Sequence, residues 1–440
     1  MHPKESLIST SLYERALRVL PGGTTRHGVH FAPHPVYQAS GDGCRITDVD
    51  GVERIDFVNN WSSLIHGHSN PAIVAAVTEQ VGKLMAVGAP TDVEVELAEL
   101  FCDRLPGVDQ IRFSNSGTEA VLMAIRAAHS YTGKAKIAKV EGAYHGKADA
   151  VSISVAPSRE LWGDAAAPAS VPDSDGIPPR VLDDTIVLPF NDVEATRDLI
   201  TRHAGDLAAV LIDPVVSRMG FVPASPEYLS MIRDLTREKG VLLIFDEVFS
   251  YRLGYHGAQG VVGITPDLTA LGKVIGGGLP VGATGGSTEV MSVFDASGGH
   301  PRVEHGGTYN ANPLTMAAGL ACMQQLPPEA YERLEALGQR ARHGLREALK
   351  VAGLKGQVVG QGSLLALVFN DRPFSNFREM PSGPTEIQSI SDLHRYLLNN
   401  GVQIVPSGRF ILSTAMTEAD IDIMLDKALA GMREIKAHAH

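Results

Sequence analysis

Val241-Leu242-Leu243-Ile244-Phe245-Asp246-Glu247 decides the fold of this chain when read with Leu271-Gly272-Lys273-Val274-Ile275-Gly276-Gly277-Gly278 further on. A short apolar run closed by a carboxylate is the pattern of a buried strand that delivers Asp246 to the edge of a sheet. The lysine stands before a glycine-rich stretch where backbone can approach a ligand closely. Outward from this pair, apolar strand patterns at 110–113, 136–140, 208–213 and 241–245 alternate with helical ones from about residue 70 to 290. Such alternation marks an α/β sheet with helices on both faces. Ligands collect beyond the carboxyl ends of its strands, where Asp213 and Asp246 fall.

Two further stretches precede these. Ile111-Arg112-Phe113 reads as a strand that turns through Ser114-Asn115-Ser116-Gly117-Thr118-Glu119 into an amphipathic or buried helix. The helix start offers amides and hydroxyls to an anion, although an ordinary helix cap has the same appearance. Residues 136–140 lead into Glu141-Gly142-Ala143-Tyr144-His145-Gly146, where Tyr144 is either an aromatic lid over a flat ring or a plain turn aromatic. One cofactor, pyridoxal phosphate (PLP), uses all of these groups. It takes a lysine as a Schiff base, a carboxylate opposite its pyridinium nitrogen and a bed of backbone amides for its phosphate. On this reading Lys273 anchors the cofactor and shuttles a proton, while Asp246 keeps the ring nitrogen protonated. The alternative is a strand-end aspartate and an unrelated surface lysine.

Taken in order, Asn115-Ser116-Gly117-Thr118-Glu119-Ala120, Gly142-Ala143-Tyr144-His145-Gly146, Phe245-Asp246-Glu247-Val248 and Leu271 to Gly282 resemble the class III aminotransferases. Within that class they are similar to the branch of glutamate-1-semialdehyde 2,1-aminomutase and the β-amino-acid aminotransferases. The resemblance runs from Pro21-Gly22-Gly23 to the last helix. It implies the PLP-dependent transferase fold type I: a large domain with a mostly parallel seven-stranded sheet between helices, plus a small α+β domain made by both chain ends. The expected boundaries are 1–62, 63–325 and 326–440. It further implies cofactor contacts from Ser116, Gly117, Thr118, Tyr144, His145, Asp246, Val248, Lys273 and Arg218. The implied assembly is a homodimer with shared active sites, in which Thr308 of His305-Gly306-Gly307-Thr308-Tyr309-Asn310 reaches the neighbour's phosphate. A simple glycine turn is the other reading of that segment.

Substrate contacts follow the same resemblance. Arg26, just after the Pro-Gly-Gly turn, matches an arginine that meets a carboxylate, and Trp61 matches an aromatic of the substrate channel. Arg26 could equally be a solvated loop arginine. Three departures separate the chain from the aminomutases. Their loop glutamate is missing from Pro406-Ser407-Gly408-Arg409-Phe410-Ile411-Leu412, which carries Arg409 and no acid. The β-amino-acid aminotransferases have an arginine in a loop of this length, at the position of Ser407. Arg218 replaces an asparagine beside the cofactor's phenolic oxygen, and Asp213 replaces a glutamate before Pro214. A cation in the place of an acid favours carboxylate partners. The expected activity is therefore amino transfer between an amine or (β-)amino acid and a 2-oxo acid or ketone. An aminomutase, a racemase on the same scaffold and an inert PLP-binding scaffold protein are the alternatives.

Composition limits the rest. A chain of 440 residues, 44% apolar and 20% charged, suits a two-domain enzyme with a large core. Lys and Arg number 38 against 50 acids, a formal charge of -12 with no basic cluster, which argues against nucleic acid or anionic membrane as partners. Cys44, Cys102 and Cys322 are scattered, as expected for free thiols in a reducing cytoplasm. Met1-His2-Pro3-Lys4-Glu5-Ser6 lacks the apolar core of a leader, and no apolar run has the length of a membrane span. His66-Gly67-His68 and His438-Ala439-His440 could pair on a metal but lack further ligands at suitable spacing, so no metal is expected. The Pro-, Ala-, Ser- and Asp-rich stretch 156–184 reads as a long surface loop. A helix closing at Leu20, a hairpin over 41–57, a strand over 362–369, a helix over 387–400 and a last helix capped by Thr417 complete the ends.

Overall fold

The computed structural model describes residues 6–438. The segment Met1 to Glu5, the tail residues Ala439 and His440, and the side chain of His438 lie outside the described residues, so the reading of His438 and His440 as a metal pair falls there. The chain divides into two compact units. One comprises Met1–Pro71, Glu332–Pro373 and Pro381–His440; the other comprises Ala72–Tyr331 and Phe374–Met380.

The larger unit is built on seven strands: β1 (Gln110–Ser114), β2 (Lys136–Val140), β3 (Thr185–Leu188), β4 (Leu207–Ile212), β5 (Leu242–Asp246), β6 (Leu268–Gly272) and β7 (Gly282–Gly286). Their order across the sheet is β1-β7-β6-β5-β4-β2-β3. Strand β7 runs antiparallel to both its neighbours, and the pairs from β6 outward to β3 are parallel. This is the mostly parallel α/β sheet of fold type I. Strands β4, β5 and β6 are buried along their whole length, as parallel strands covered on both faces must be. One covering layer packs Tyr228, Ile232 and Leu235 of the helix Pro226–Lys239 on Val210, Ile212 and Leu243. The other packs Val121, Ala124 and Ala128 of the helix Gly117–Thr132 on Ala209, Leu211 and Ile244.

Strand β7, Gly-Ala-Thr-Gly-Gly, has no apolar pattern of its own. A Cβ at Gly282 would sit 2.0 Å from the Ser116 carbonyl oxygen, so only glycine lets this strand pass the start of the helix Gly117–Thr132.

The smaller unit holds a sheet of Gln38–Asp42, Arg45–Asp48, Glu53–Asp56 and Val402–Gln403, and a second of Gln357–Gln361, Leu364–Val368 and Arg409–Ile411. The expected hairpin over 41–57 is thus three strands. The expected strand over 362–369 is the second arm of a hairpin whose turn begins at Gly362. The first helix stops at Leu17, and Pro21–Gly23 forms a separate turn of 3₁₀ helix. Thr417 and Asp420 cap the final helix reciprocally: Thr417 N–H donates to the Asp420 carboxylate at 2.9 Å, and Asp420 N–H reaches the Thr417 hydroxyl at 3.4 Å. Among the described residues no helix is long and apolar enough to cross a membrane. All three cysteines are free thiols.

Candidate active site

In the larger unit, register brings the proposed residues to one edge of the sheet. Asp246 ends β5 opposite Ala270 of β6, and Lys273 follows β6 directly. Ile212, the last residue of β4, pairs with Phe245, so Asp213 lies beside Asp246. Three adjacent parallel strands therefore deliver two carboxylates and an amine at their carboxyl ends. Asp246 is 5% exposed. One carboxylate oxygen accepts from Val248 N–H at 3.0 Å, and the other lies 2.7 Å from His145 Nδ1. The Asp246 carboxylate accepts, so His145 Nδ1 carries the proton and donates it, while burial lowers the pKa of the His145 ring. His145 Nε2 is buried with no hydrogen-bond partner. Burial and the charge of Asp246 together raise Asp213 well above the ordinary carboxylate range. The pair avoids two adjacent anions in this way.

Lys273 is held in the left-handed region at φ 53, where a side chain other than glycine is strained. Burial lowers its amine to about 8 against the opposing pull of Asp246 and Asp213. Its Nζ lies 4.3 Å from the centre of the Phe249 ring, a contact the sequence reading missed although Phe249 follows the Asp246 motif closely.

The start of the helix Gly117–Thr132 forms the third side. Ser116 is its N-cap, and the hydroxyl accepts from Glu119 N–H at 3.2 Å, so the ordinary cap reading holds for this side chain. Helix geometry supplies no partner to the Gly117 and Thr118 amides. Val248 fixes this turn: a Cβ at Gly117 would lie 2.7 Å from one Val248 methyl, and Gly272 packs against the same group. Thr118 Oγ1 accepts from Lys147 N–H at 3.3 Å, tying the turn to the segment that carries Tyr144 and His145. Tyr144 is 39% exposed, with Lys147 Nζ 5.6 Å from its ring centre. Arg218 sits exposed on the turn Ser217–Met219, and its charge is felt by the buried Lys139 amine. Thr308 is exposed on a segment that Asn310 joins to Asn115 at 2.8 Å.

The smaller unit contains the other three candidates. Residues 59–62 form a left-handed turn without a glycine, at φ 46, 45, 56 and 78 for Asn59, Asn60, Trp61 and Ser62. Asn60 Oδ1 accepts from Arg26 Nη1 at 3.0 Å, and Gly28 leaves room for the Trp61 ring, which a Cβ there would meet at 2.8 Å. Asn59, fully buried, donates to the Ile411 carbonyl at 2.7 Å on the strand that begins with Arg409. Arg409 reaches back to donate to the Ser407 hydroxyl. Arg26, Trp61 and Arg409 thus share one framework whose hub, the Asn59-Asn60 pair, the sequence reading did not single out. Asparagine tolerates left-handed backbone, so the doublet carried a usable signal. The neighbouring histidines have separate partners: His66 pairs with Thr414 at 2.8 Å and His68 with Asp56 at 2.8 Å.

Known proteins resemble the chain along nearly its whole length. The family described as aminotransferase class-III matches residues 28–430. Glutamate-1-semialdehyde 2,1-aminomutase 2 of Halalkalibacterium halodurans is 40% identical over 435 residues, covering 97% of this chain and 98% of the relative. An omega-transaminase from Sphaerobacter thermophilus superposes with a TM-score of 0.96 at 48% identity, covering 98% of each chain. A beta-phenylalanine aminotransferase from Variovorax paradoxus superposes with a TM-score of 0.86 at 35% identity, covering 96% of this chain and 93% of the other. The chain belongs to the class III aminotransferase family and is a PLP-dependent enzyme.

Proposed function

We propose that the enzyme transfers an amino group between separate molecules, an amine or (β-)amino acid donor and a 2-oxo acid acceptor, at the strand ends carrying Asp246 and Lys273. The observation that carries the choice is Arg409, a cation with no acid beside it in its loop, held by the Ser407 hydroxyl. A guanidinium offers a carboxylate a bidentate, charge-assisted pair.

The site fits PLP on its own chemistry. It offers a buried carboxylate braced by the His145 imidazole, an amine of lowered pKa and a helix start whose first amides have no helical partner. Bound there, the cofactor supplies the electron sink that amino-group exchange requires. Asp246 keeps the proton on the ring nitrogen, and His145 holds Asp246 in orientation through Nδ1–H. Gly117 and Thr118 amides, with the Ser116 cap and Val248 packing, hold the phosphate. Tyr144 would cover the ring, and Arg218 would serve the phenolic-oxygen side. Lys273 would hold the cofactor's aldehyde. The Lys273 amine would also move the proton at the substrate's amino-bearing carbon. Arg26 and Arg409 bind carboxylate, and Trp61 lines the approach.

The working form is a cytoplasmic homodimer in which Thr308 contacts the neighbour's phosphate. Support comes from the exposed Val81, Leu84, Met85, Val87 and Tyr309, and from a cavity of about 740 Å³ that Thr308 lines with Val87, Arg112 and His305.

A donor and acceptor screen tests the reaction. Single amino donors are expected to bleach the visible band of the purified holoenzyme, and an added 2-oxo acid to restore it. The aminomutase name of the 40% identical relative supports the second reading, intramolecular transfer. Rapid conversion of glutamate-1-semialdehyde to 5-aminolevulinate without an added acceptor would replace the first reading by the second.

A further inference from the structure

Phe374–Met380 belongs by contact to the larger unit, although the residues on both sides of it belong to the smaller one. Its contacts converge on the segment that carries Tyr144 and His145. Arg378 grips Glu141 through two parallel bonds, Nε to Oε2 at 2.8 Å and Nη2 to Oε1 at 3.0 Å. Glu141 is 3% exposed, so this is a desolvated pair with fork geometry. The same guanidinium donates to the carbonyls of Trp162 at 2.6 Å and Gly163 at 3.2 Å, and lies 5.4 Å from the Trp162 ring centre. Phe377 meets the Trp162 ring edge to face at 5.8 Å. It also fills the space beside Gly142, where a Cβ would lie 2.5 Å from its ring. Ser375 anchors the start of the segment through its carbonyl, which accepts from Asn191 at 2.9 Å.

Glu141 and Gly142 lie directly before Ala143-Tyr144-His145-Gly146 in sequence. At the far end of that segment, Gly146 is packed on Thr118, and its own Cβ would lie 2.6 Å from the Thr118 hydroxyl. His145, between the two fixed ends, bonds Asp246. The backbone from 141 to 146 is therefore clamped at both termini, and only the second clamp belongs to the phosphate turn. We propose that Phe374–Met380 is a positioning strap of the cofactor site: Arg378 and Phe377 fix the start of the His145 segment and so aim His145 at Asp246. The strap also takes hold of the 162–163 turn of the long surface loop, so that loop and cofactor segment share one anchor. This rests on the assignment of PLP to the site.

Arg378→Ala leaves a buried carboxylate unpaired, and Arg378→Lys keeps the charge but loses the fork. Phe377→Ala loosens the same joint without stranding a charge, and keeps the test usable should Arg378→Ala fail to fold. Each full-length protein is stripped of cofactor, titrated with PLP and examined for visible circular dichroism, and the unfolding midpoint of the cofactor-free form is recorded. Arg378→Ala is expected to weaken PLP binding tenfold or more, Phe377→Ala severalfold, and Arg378→Lys by an intermediate amount. In all three the visible dichroism of the PLP that still binds should shrink, because the ring's surroundings are no longer fixed. Variants with lowered unfolding midpoints but unchanged PLP affinity and dichroism would reduce the strap to a structural brace and overturn the proposal. The unmodified protein is the control on the underlying assignment: failure of that protein to bind PLP refutes the cofactor reading itself.

Discussion

Asp213, Asp246 and Lys273 stand at the carboxyl ends of three adjacent buried strands, whereas Arg26, Trp61 and Arg409 are gathered by a turn of four left-handed residues. The first set is fixed by sheet register, which the apolar pattern specifies and which costs no strain except at Lys273 itself. The second set is fixed against backbone preference, at roughly 1–2 kcal/mol for an ordinary residue in that region and less for asparagine. The buried bonds of Asn59 to the Ile411 and Asp56 carbonyls help to offset this. The residues proposed to hold the cofactor are thus tied to the most regular part of the larger unit. The residues proposed to meet substrate, in the smaller unit, hang on a few polar contacts. Change is expected to be catastrophic in the first set and graded in the second.

Lys273→Ala sets the upper end of that scale. Loss of the amine should abolish the borohydride-reducible link to PLP and cut turnover on the order of 10⁴-fold or more. Mass spectrometry of the reduced protein checks the link, and a PLP–peptide adduct elsewhere in the variant would move the anchor off β6. Arg409→Ala lies lower. A charge-assisted pair to a carboxylate contributes about 1.5–3 kcal/mol, so KM for a 2-oxo acid should rise roughly ten- to a hundredfold. The half-reaction with an amine lacking a carboxylate should be unaffected. Equal losses with both partners would make Arg409 a support of its strand and erase the contrast.

Asn60→Gly is the mildest change. Glycine accepts φ 45 without strain but cannot hold Arg26, so the unfolding midpoint should stay nearly constant. KM for the acidic partner should rise about two- to tenfold. A large drop in the midpoint with unchanged KM would mean that the turn serves the fold rather than the substrate.

The sheet was legible where side chains follow a period. Lys136–Val140 was bounded correctly from its apolar pattern, and Leu207–Ile212 and Leu242–Asp246 were placed within a residue at each end. Gly282–Gly286 was not legible, because its place depends on Ser116 lying against Gly282 rather than on any apolar pattern. Leu268–Gly272 escaped in a similar way, since Leu-Thr-Ala-Leu-Gly alternates too weakly to stand out from the glycine stretch after it. The residues at strand ends could be picked out because a carboxylate or lysine there is conspicuous in an apolar setting. Phe249, Asn59 and Arg378 act through neighbours distant in sequence or through backbone shape, and local periodicity records neither.

The ion pair between Glu141 and Arg378 spans 237 positions of chain. Synthesis proceeds from the amino end, so every strand of the seven-stranded sheet has left the ribosome long before Arg378 exists to meet its partner. Until then the Glu141 carboxylate has no guanidinium to enter the core with, although its backbone N–H and that of Gly142 already have the Leu188 and Ser154 carbonyls as partners. On the strap proposal, the Glu141 end of the His145 segment is therefore braced only after the whole sheet that carries Asp246 has been made.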